Sequence, residues 1–223
     1  MIHHCLHPRC ALCGLQLEVN ETFLCHYCSD YFPQISRCQR CGCPLEKQGI
    51  CGQCLISPPP WDKLYCIDDY RFPLNHFIAQ LKHHHASHYA APLADLLVKR
   101  IDTPAPVLIP VPLHWRRQWK RGFNQSMLLA QRLAHHDNSC HVVNAFARPI
   151  ATAPQQSLSK EQRVHNLDHA FCLKKSICAR HVAIVDDVVT TGSTVSALVR
   201  QLRHQHIEKI DIYCLARTTL DNA

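Results

Sequence analysis

The chain has 223 residues, 47% of them hydrophobic, and a formal net charge of +7, with 18 histidines that can add charge below neutral pH. It has no run of 18 apolar residues and no charged N-terminal region leading into an apolar stretch, so membrane insertion and export are not expected and a cytoplasmic location is. The basic balance permits nucleic-acid or phosphate partners without specifying either, because much of it comes from residues 116–121.

Ten of the 15 cysteines fall within the first 54 residues. In a reducing compartment such clustering points to metal ligation rather than disulfides. There are four C-x-x-C pairs: Cys10/Cys13, Cys25/Cys28, Cys38/Cys41 and Cys51/Cys54. Two pairs complete one tetrahedral zinc site with Zn–S near ~2.3 Å, so these eight cysteines make two sites. The spacing suits two consecutive ribbons, 10/13/25/28 and 38/41/51/54, and interleaved pairing is the other arrangement it allows. Cys5, Cys43 and His26 lie close enough in sequence to substitute as ligands. A segment this short, with few large aliphatic residues, lacks a sufficient core, so the zinc is expected to be structural. Ribbons of this kind hold nucleic acid, a partner protein or a neighbouring domain, and the sequence leaves all three open.

The stiff spacer Ser57-Pro58-Pro59-Pro60 marks a change of composition. We therefore divide the chain into a double zinc ribbon over 1–57 and a second domain over 58–223. In that domain the patterning predicts a strand over 64–70 and helices over 75–83 and 91–101. His83, His84, His85 and His88 diverge around a helix axis, which suits a solvated helix end better than a metal site. A short apolar strand over 107–113 follows, closed by Pro110 and Pro112.

Residues 114–125 form an expected basic surface loop. There Arg116, Arg117, Lys120 and Arg121 are candidates to clamp phosphate, and Trp115 and Trp119 to stack on bases. Next come a helix over 126–136, a strand over 140–147, a long polar connection over 148–167 suited to a lid, and a short strand over 170–173. The five cysteines beyond residue 54 show no ligand spacing.

The stretch Val182 to Thr194 carries the chemistry. Four apolar residues, Val182 to Val185, suit a strand buried on both faces, and Asp186 and Asp187 follow. Then come Thr190, Thr191, Gly192, Ser193 and Thr194, and after them apolar residues at helical spacing. A helix starting there aims free N–H groups and its positive dipole end at the loop, forming an anion site. A last strand is predicted over 209–215. Strands alternating with helices imply an α/β domain with a mainly parallel sheet, helices on both faces and a site at its carboxyl edge.

Only two glycines occur after residue 54, Gly122 and Gly192, both in segments singled out on other grounds. The phosphate loop lacks the lysine of G-x-x-x-x-G-K-S/T, and no G-x-G-x-x-G occurs, so the usual signatures of nucleotide hydrolysis and dinucleotide binding are missing. An anion cradle preceded by two acids suits a sugar phosphate.

The run Val185 to Thr194 resembles the phosphoribosyl pyrophosphate signature of type I phosphoribosyltransferases. The whole chain resembles the ComF/GntX family, which joins a double zinc ribbon to a domain of that fold. The resemblance rests on the four cysteine pairs, Lys82, Pro110-Val111-Pro112-Leu113, Arg121-Gly122-Phe123-Asn124-Gln125, and Arg148 with Thr152, Gln155, Leu158, Arg163 and Asn166. It implies that Asp186 and Asp187 hold ribose hydroxyls, that Thr190 to Thr194 hold the 5′-phosphate, and that Mg²⁺ accompanies phosphoribosyl pyrophosphate. It also implies that Pro110, Val111, Pro112 and Leu113 lie beside the pyrophosphate and that Arg148 to Asn166 close as a lid.

The family is associated with competence and the use of external DNA. A phosphoribosyl transfer to an unnamed acceptor is one implied activity. Single-stranded DNA binding, or docking of a partner such as a competence helicase, is the alternative.

Overall fold

In the computed structural model, which describes residues 8–137, 139–149 and 170–218, the chain divides into two compact units, Met1–Ile35 and Ser36–Ala223. The smaller unit is built on a tight turn after Cys10, an antiparallel bridge between Arg9 and Gln16, and the short helix α1 (His26–Ser29). The second cysteine segment, with α2 (Gly52–Ile56), belongs to the larger unit. The compact division therefore falls ahead of the proline spacer at which composition changes. The reason is local: Arg37 is paired with Asp68 and, at 3.2 Å, with Asp69, and the Leu64 N–H donates to the Gln39 carbonyl at 2.8 Å.

The larger unit contains a five-stranded sheet in the order β1-β7-β6-β2-β3, every pair parallel. Its strands are β1 (Lys63–Asp69), β2 (Val107–Pro110), β3 (His141–Val142), β6 (His181–Val189) and β7 (Lys209–Arg217). A separate antiparallel pair joins β4 (Phe146–Ala147) to β5 (Cys172–Leu173). The expected strand over 140–147 is thus two strands in different sheets. The Val143 N–H closes the β3 ladder on the Leu108 carbonyl, and a tight Ala145-to-Val143 bond then turns the chain away.

Burial fixes the layers. Leu64, Cys66, Val107, Ile109, Val182, Ile184, Ile210 and Ile212 alternate along their strands and share one core cluster with Val195, Leu198, Val199 and Leu202 of α7 (Ser193–Arg203). Strand periodicity sends their neighbours, such as Leu108, Ala183 and Tyr213, to the opposite face. Helices α3 (Leu74–Leu81), α4 (Ala90–Val98) and α6 (Gln125–His136) cover that face. The architecture is the expected α/β sheet with helices on both faces. His84–Tyr89 is a 3₁₀ segment between α3 and α4. The basic segment is not a loop: Trp115–Arg121 is a helix, α5, because His114 caps its start and Gly122 its end.

Candidate functional site

Strand β6 lies in the middle of the sheet with Val182 to Val185 fully buried. Its pairing with β2 stops at Pro110 opposite Val185, while pairing with β7 continues to Val189 opposite Arg217. Asp186 and Asp187 therefore sit inside the strand, at the step where the neighbour on one side runs out. Asp186 Oδ1 accepts from the Asp187 N–H at 2.9 Å and from Ser126 Oγ at 3.2 Å. Lys82, at the end of α3, places Nζ 3.4 Å from Asp187 Oδ2. Burial, reinforced by the neighbouring Asp187 charge, pushes the Asp186 carboxyl up to about 8, against the Asp187 N–H, Ser126 and the Lys82 charge.

Beyond the acids the chain turns into a helix at the place where a phosphate loop is expected. Gly192, in the left-handed region at φ 73°, is the N-cap of the eleven-residue α7, whose first N–H, that of Ser193, donates to Thr191 Oγ1 at 3.5 Å. Thr191 Oγ1 and Ser193 Oγ are 2.7 Å apart. A hollow of about 70 Å³ is lined by Asp186 and by Val188 to Val195. One carboxylate and the helix start with its hydroxyls thus open onto the same space, which suits a ligand bearing both hydroxyls and a phosphate.

The segment Pro110 to Leu113 is held against the same strand end. The Val111 N–H donates to the Val185 carbonyl, and the Val111 carbonyl accepts from Asn124 Nδ2, both at 2.9 Å. Asn124 Oδ1 also caps α6 by accepting from the Ser126 N–H at 3.0 Å. Gly122, at φ 77°, ends α5. The Arg121-to-Gln125 run is therefore a junction that stops one helix, starts the next and straps Val111, so its residue types follow from backbone geometry.

On α5, Trp115 is 57% and Trp119 86% exposed, and the Arg116 guanidinium lies 5.2 Å from the Trp115 ring centroid. Arg117 and Lys120 belong to this helix, and Arg121 closes it. Arg148 packs over the Phe171 ring. Thr152, Gln155, Arg163 and Asn166 lie outside the described residues. Ser126 was marked in sequence only as a helix start; its place two residues beyond the Asn124 cap is what carries it to the acid pair.

The cysteines form two groups in which all sulfurs lie within 4.8 Å of one another: Cys10, Cys13, Cys25, Cys28 and Cys38, Cys41, Cys43, Cys51. The first is the expected consecutive set. In the second, Cys43 stands in the group in place of the expected Cys54; the Cys41 and Cys51 thiols add to burial in raising Cys54, so a fifth cysteine lies close to the set. Burial raises Cys10 and Cys38, but backbone N–H donors outweigh it and bring each down to about 6. For Cys10 these donors are Cys13, Cys25 and Leu12, and for Cys38 they are Cys41, Cys51 and Arg40. A compact set of four soft donors, one already favoured as thiolate, fits a tetrahedral zinc ion. No helix among the described residues is long and apolar enough to cross a membrane.

Comparison with known proteins finds relatives in sequence along nearly the full length of the chain. The chain is 39% identical over 219 residues to the DNA utilization protein YhgH of Salmonella typhi, covering 94% of this chain and 96% of the relative. It is 35% identical over 222 residues to Competence protein F of Haemophilus influenzae, with the same coverage. A shorter match, 30% over 102 residues, is to Competence protein ComFC of Bacillus subtilis, covering 43% of this chain and 38% of that protein. No protein-family model matches the chain.

Two outcomes follow from this geometry. The folded chain keeps the Asp186 proton up to about pH 8, whereas an unfolded aspartate releases it near ~4. Stability of the unliganded protein is therefore lost as pH rises from about 4 to about 8 and levels off above that. Asp186→Asn, which keeps the acceptor and removes the charge, should melt above wild type at pH 8, with the gap closing toward pH 4; thermal unfolding across that range measures it. At the second cluster, Cys51→Ser should lower bound zinc from two ions per chain to one, while Cys43→Ser, which leaves every C-x-x-C pair intact, should keep two. Metal analysis of the purified variants reads both.

Proposed function

The chain belongs to the ComF family, and from that premise we propose that it serves competence or the use of external DNA through a domain that binds phosphoribosyl pyrophosphate with Mg²⁺. The observation that carries this reading is the shared hollow, in which Asp186 and the α7 start face one space. Thr190 to Thr194 take the 5′-phosphate through backbone N–H groups and hydroxyls. Asp186 and Asp187 accept hydrogen bonds from the ribose hydroxyls, and Pro110 to Leu113 border the pyrophosphate. Mg²⁺, when bound, neutralises charge on the pyrophosphate and on the acid pair.

Lys82, with Nζ 3.4 Å from Asp187 Oδ2, then acts as the placeholder cation beside that carboxylate before ligand arrives. The two thiol groups hold zinc as structural metal, through Cys10, Cys13, Cys25 and Cys28 and through the second cluster. The residues described account for binding and orientation of the sugar phosphate, with the acceptor of any transfer left to experiment.

Calorimetric titration of phosphoribosyl pyrophosphate with excess Mg²⁺ tests the reading. Asp187→Asn should weaken binding by roughly 10- to 100-fold, the scale of a lost hydrogen bond to a charged group. Equal affinity in wild type and variant would overturn it.

A specific observation favours single-stranded DNA as a second ligand. Two exposed tryptophans on a basic helix, one already stacked with an arginine, form a surface on which bases can stack while cations meet phosphates. Trp119→Ala should lower affinity for an oligothymidylate with little change in its salt dependence. Arg116→Ala together with Lys120→Ala should flatten the slope of log affinity against log salt by roughly one to two. Filter binding at several salt concentrations separates the two effects, and a wild-type chain that does not retain the oligonucleotide removes this reading.

A further inference from the structure

The phosphate loop has a back wall in Trp61, a residue held by the second cysteine segment. A Cβ added at Gly192 would lie 2.6 Å from Trp61 Cη2, so the indole edge rests directly on the loop backbone. Trp61 is only 5% exposed. Its position is set by a reciprocal pair of hydrogen bonds with Arg40: the indole Nε1–H donates to the Arg40 carbonyl at 2.7 Å, and Arg40 Nη1 donates to the Trp61 carbonyl at 2.6 Å.

Arg40 lies between Cys38 and Cys41, inside the turn that presents those two sulfurs. The next residue back, Gln39, holds the Leu64 N–H at 2.8 Å. A cleft of about 280 Å³ lies along this wall, with Cys41, Cys54, Trp61, Thr191 and Gly192 among its lining.

We propose that the second cysteine cluster, when it holds its metal, positions the phosphate loop through Arg40 and Trp61. Its occupancy thereby sets affinity for the 5′-phosphate half of the ligand. The inference rests on the reading of Thr190 to Thr194 as a phosphate cradle, and Trp61 and Arg40 are positioning residues, with no contact to the ligand required of either.

The physical chain is short. A metal ion converts converging thiols from mutual repulsion into a closed turn. The closed turn fixes the Arg40 carbonyl, the carbonyl fixes the indole, and the indole leaves Gly192 a single place to lie. Backbone N–H groups bind an anion well only when they already converge on it, so displacement of the loop by a fraction of an ångström lowers affinity without touching any ligand contact. The segment bordering pyrophosphate, Pro110 to Leu113, is held instead by Val185 and Asn124 and does not share this wall.

That asymmetry supplies the test. Ribose 5-phosphate and inorganic pyrophosphate are titrated separately into the zinc-loaded full chain in excess Mg²⁺. The same titrations are made after zinc-selective chelation, after zinc is restored, and for Arg40→Ala and Trp61→Phe. The second variant keeps an aromatic wall but lacks the N–H donor, and far-ultraviolet circular dichroism confirms that each sample is folded.

Chelation and Arg40→Ala should each weaken ribose 5-phosphate by about tenfold, the scale of one charge-assisted hydrogen bond. Trp61→Phe should act in the same direction, pyrophosphate affinity should stay unchanged, and restored zinc should recover the loss in wild type. If both ligands weaken together, or neither does, the positioning role is overturned while the phosphate cradle stands. If the zinc-loaded wild type binds neither ribose 5-phosphate nor phosphoribosyl pyrophosphate, the cradle itself is wrong and this proposal falls with it.

Discussion

A carboxyl packed into the central strand, where the neighbouring strand on one side runs out, is the constraint on which the rest of the larger unit depends. Val182 to Val185 are buried on both faces and fix β6 in depth, so Asp186 stays half-buried beside the hollow at the α7 start. The surroundings answer that cost piece by piece. Ser126 and the Asp187 N–H supply hydrogen bonds, Lys82 supplies a distant positive charge, and the end of β2 opens one side of the strand. The supports lower the carboxyl without returning it to its ordinary range, so the pair remains electrostatically incomplete in isolation. On the function proposed above, a ligand that brings hydroxyl donors and a divalent cation completes it, and costly burial becomes selectivity for that chemistry.

Much of this was legible in the sequence because it follows from local pattern. Four apolar residues before two acids and a hydroxyl-rich turn specify a strand, its exit and a helix start, and β2, β6, β7, α6 and α7 lie where periodicity places them. What was not legible depends on contacts between distant segments. The strand over 140–147 divides because Leu108 claims the Val143 N–H and the chain then turns, an event with no composition signal beyond small and β-branched residues. The basic segment forms α5 because His114 and Gly122 cap it, whereas charge and aromatics alone suggested a loop. Cys43 stands outside every C-x-x-C pair and reaches the second cluster only through the fold of its turn. Trp61 gave no signal at all beyond following a proline run.

The two thiol clusters are near copies in sequence but differ in structural setting. The first supports a unit of its own, Met1–Ile35, in which few large apolar side chains are buried. The second belongs to the sheet-bearing unit and is joined to it by Arg37, Gln39 and Arg40. Identical coordination chemistry therefore has different reach in the two places. In one the thiols lie within a small unit, and in the other they adjoin the turn whose Arg40 is bonded to Trp61, beside the α7 start.

The bond from the Leu64 N–H to the Gln39 carbonyl has a further consequence for how the molecule behaves in a crowded solution. A parallel sheet ends in two strands with unpaired backbone groups, and such seams recruit strands from other chains. Here one end is β3, only two residues long, and at the other the cysteine turn meets the outer side of β1 at Leu64. The segment before the proline spacer thus serves in part as a selvedge, covering the border of the sheet where it lies against β1.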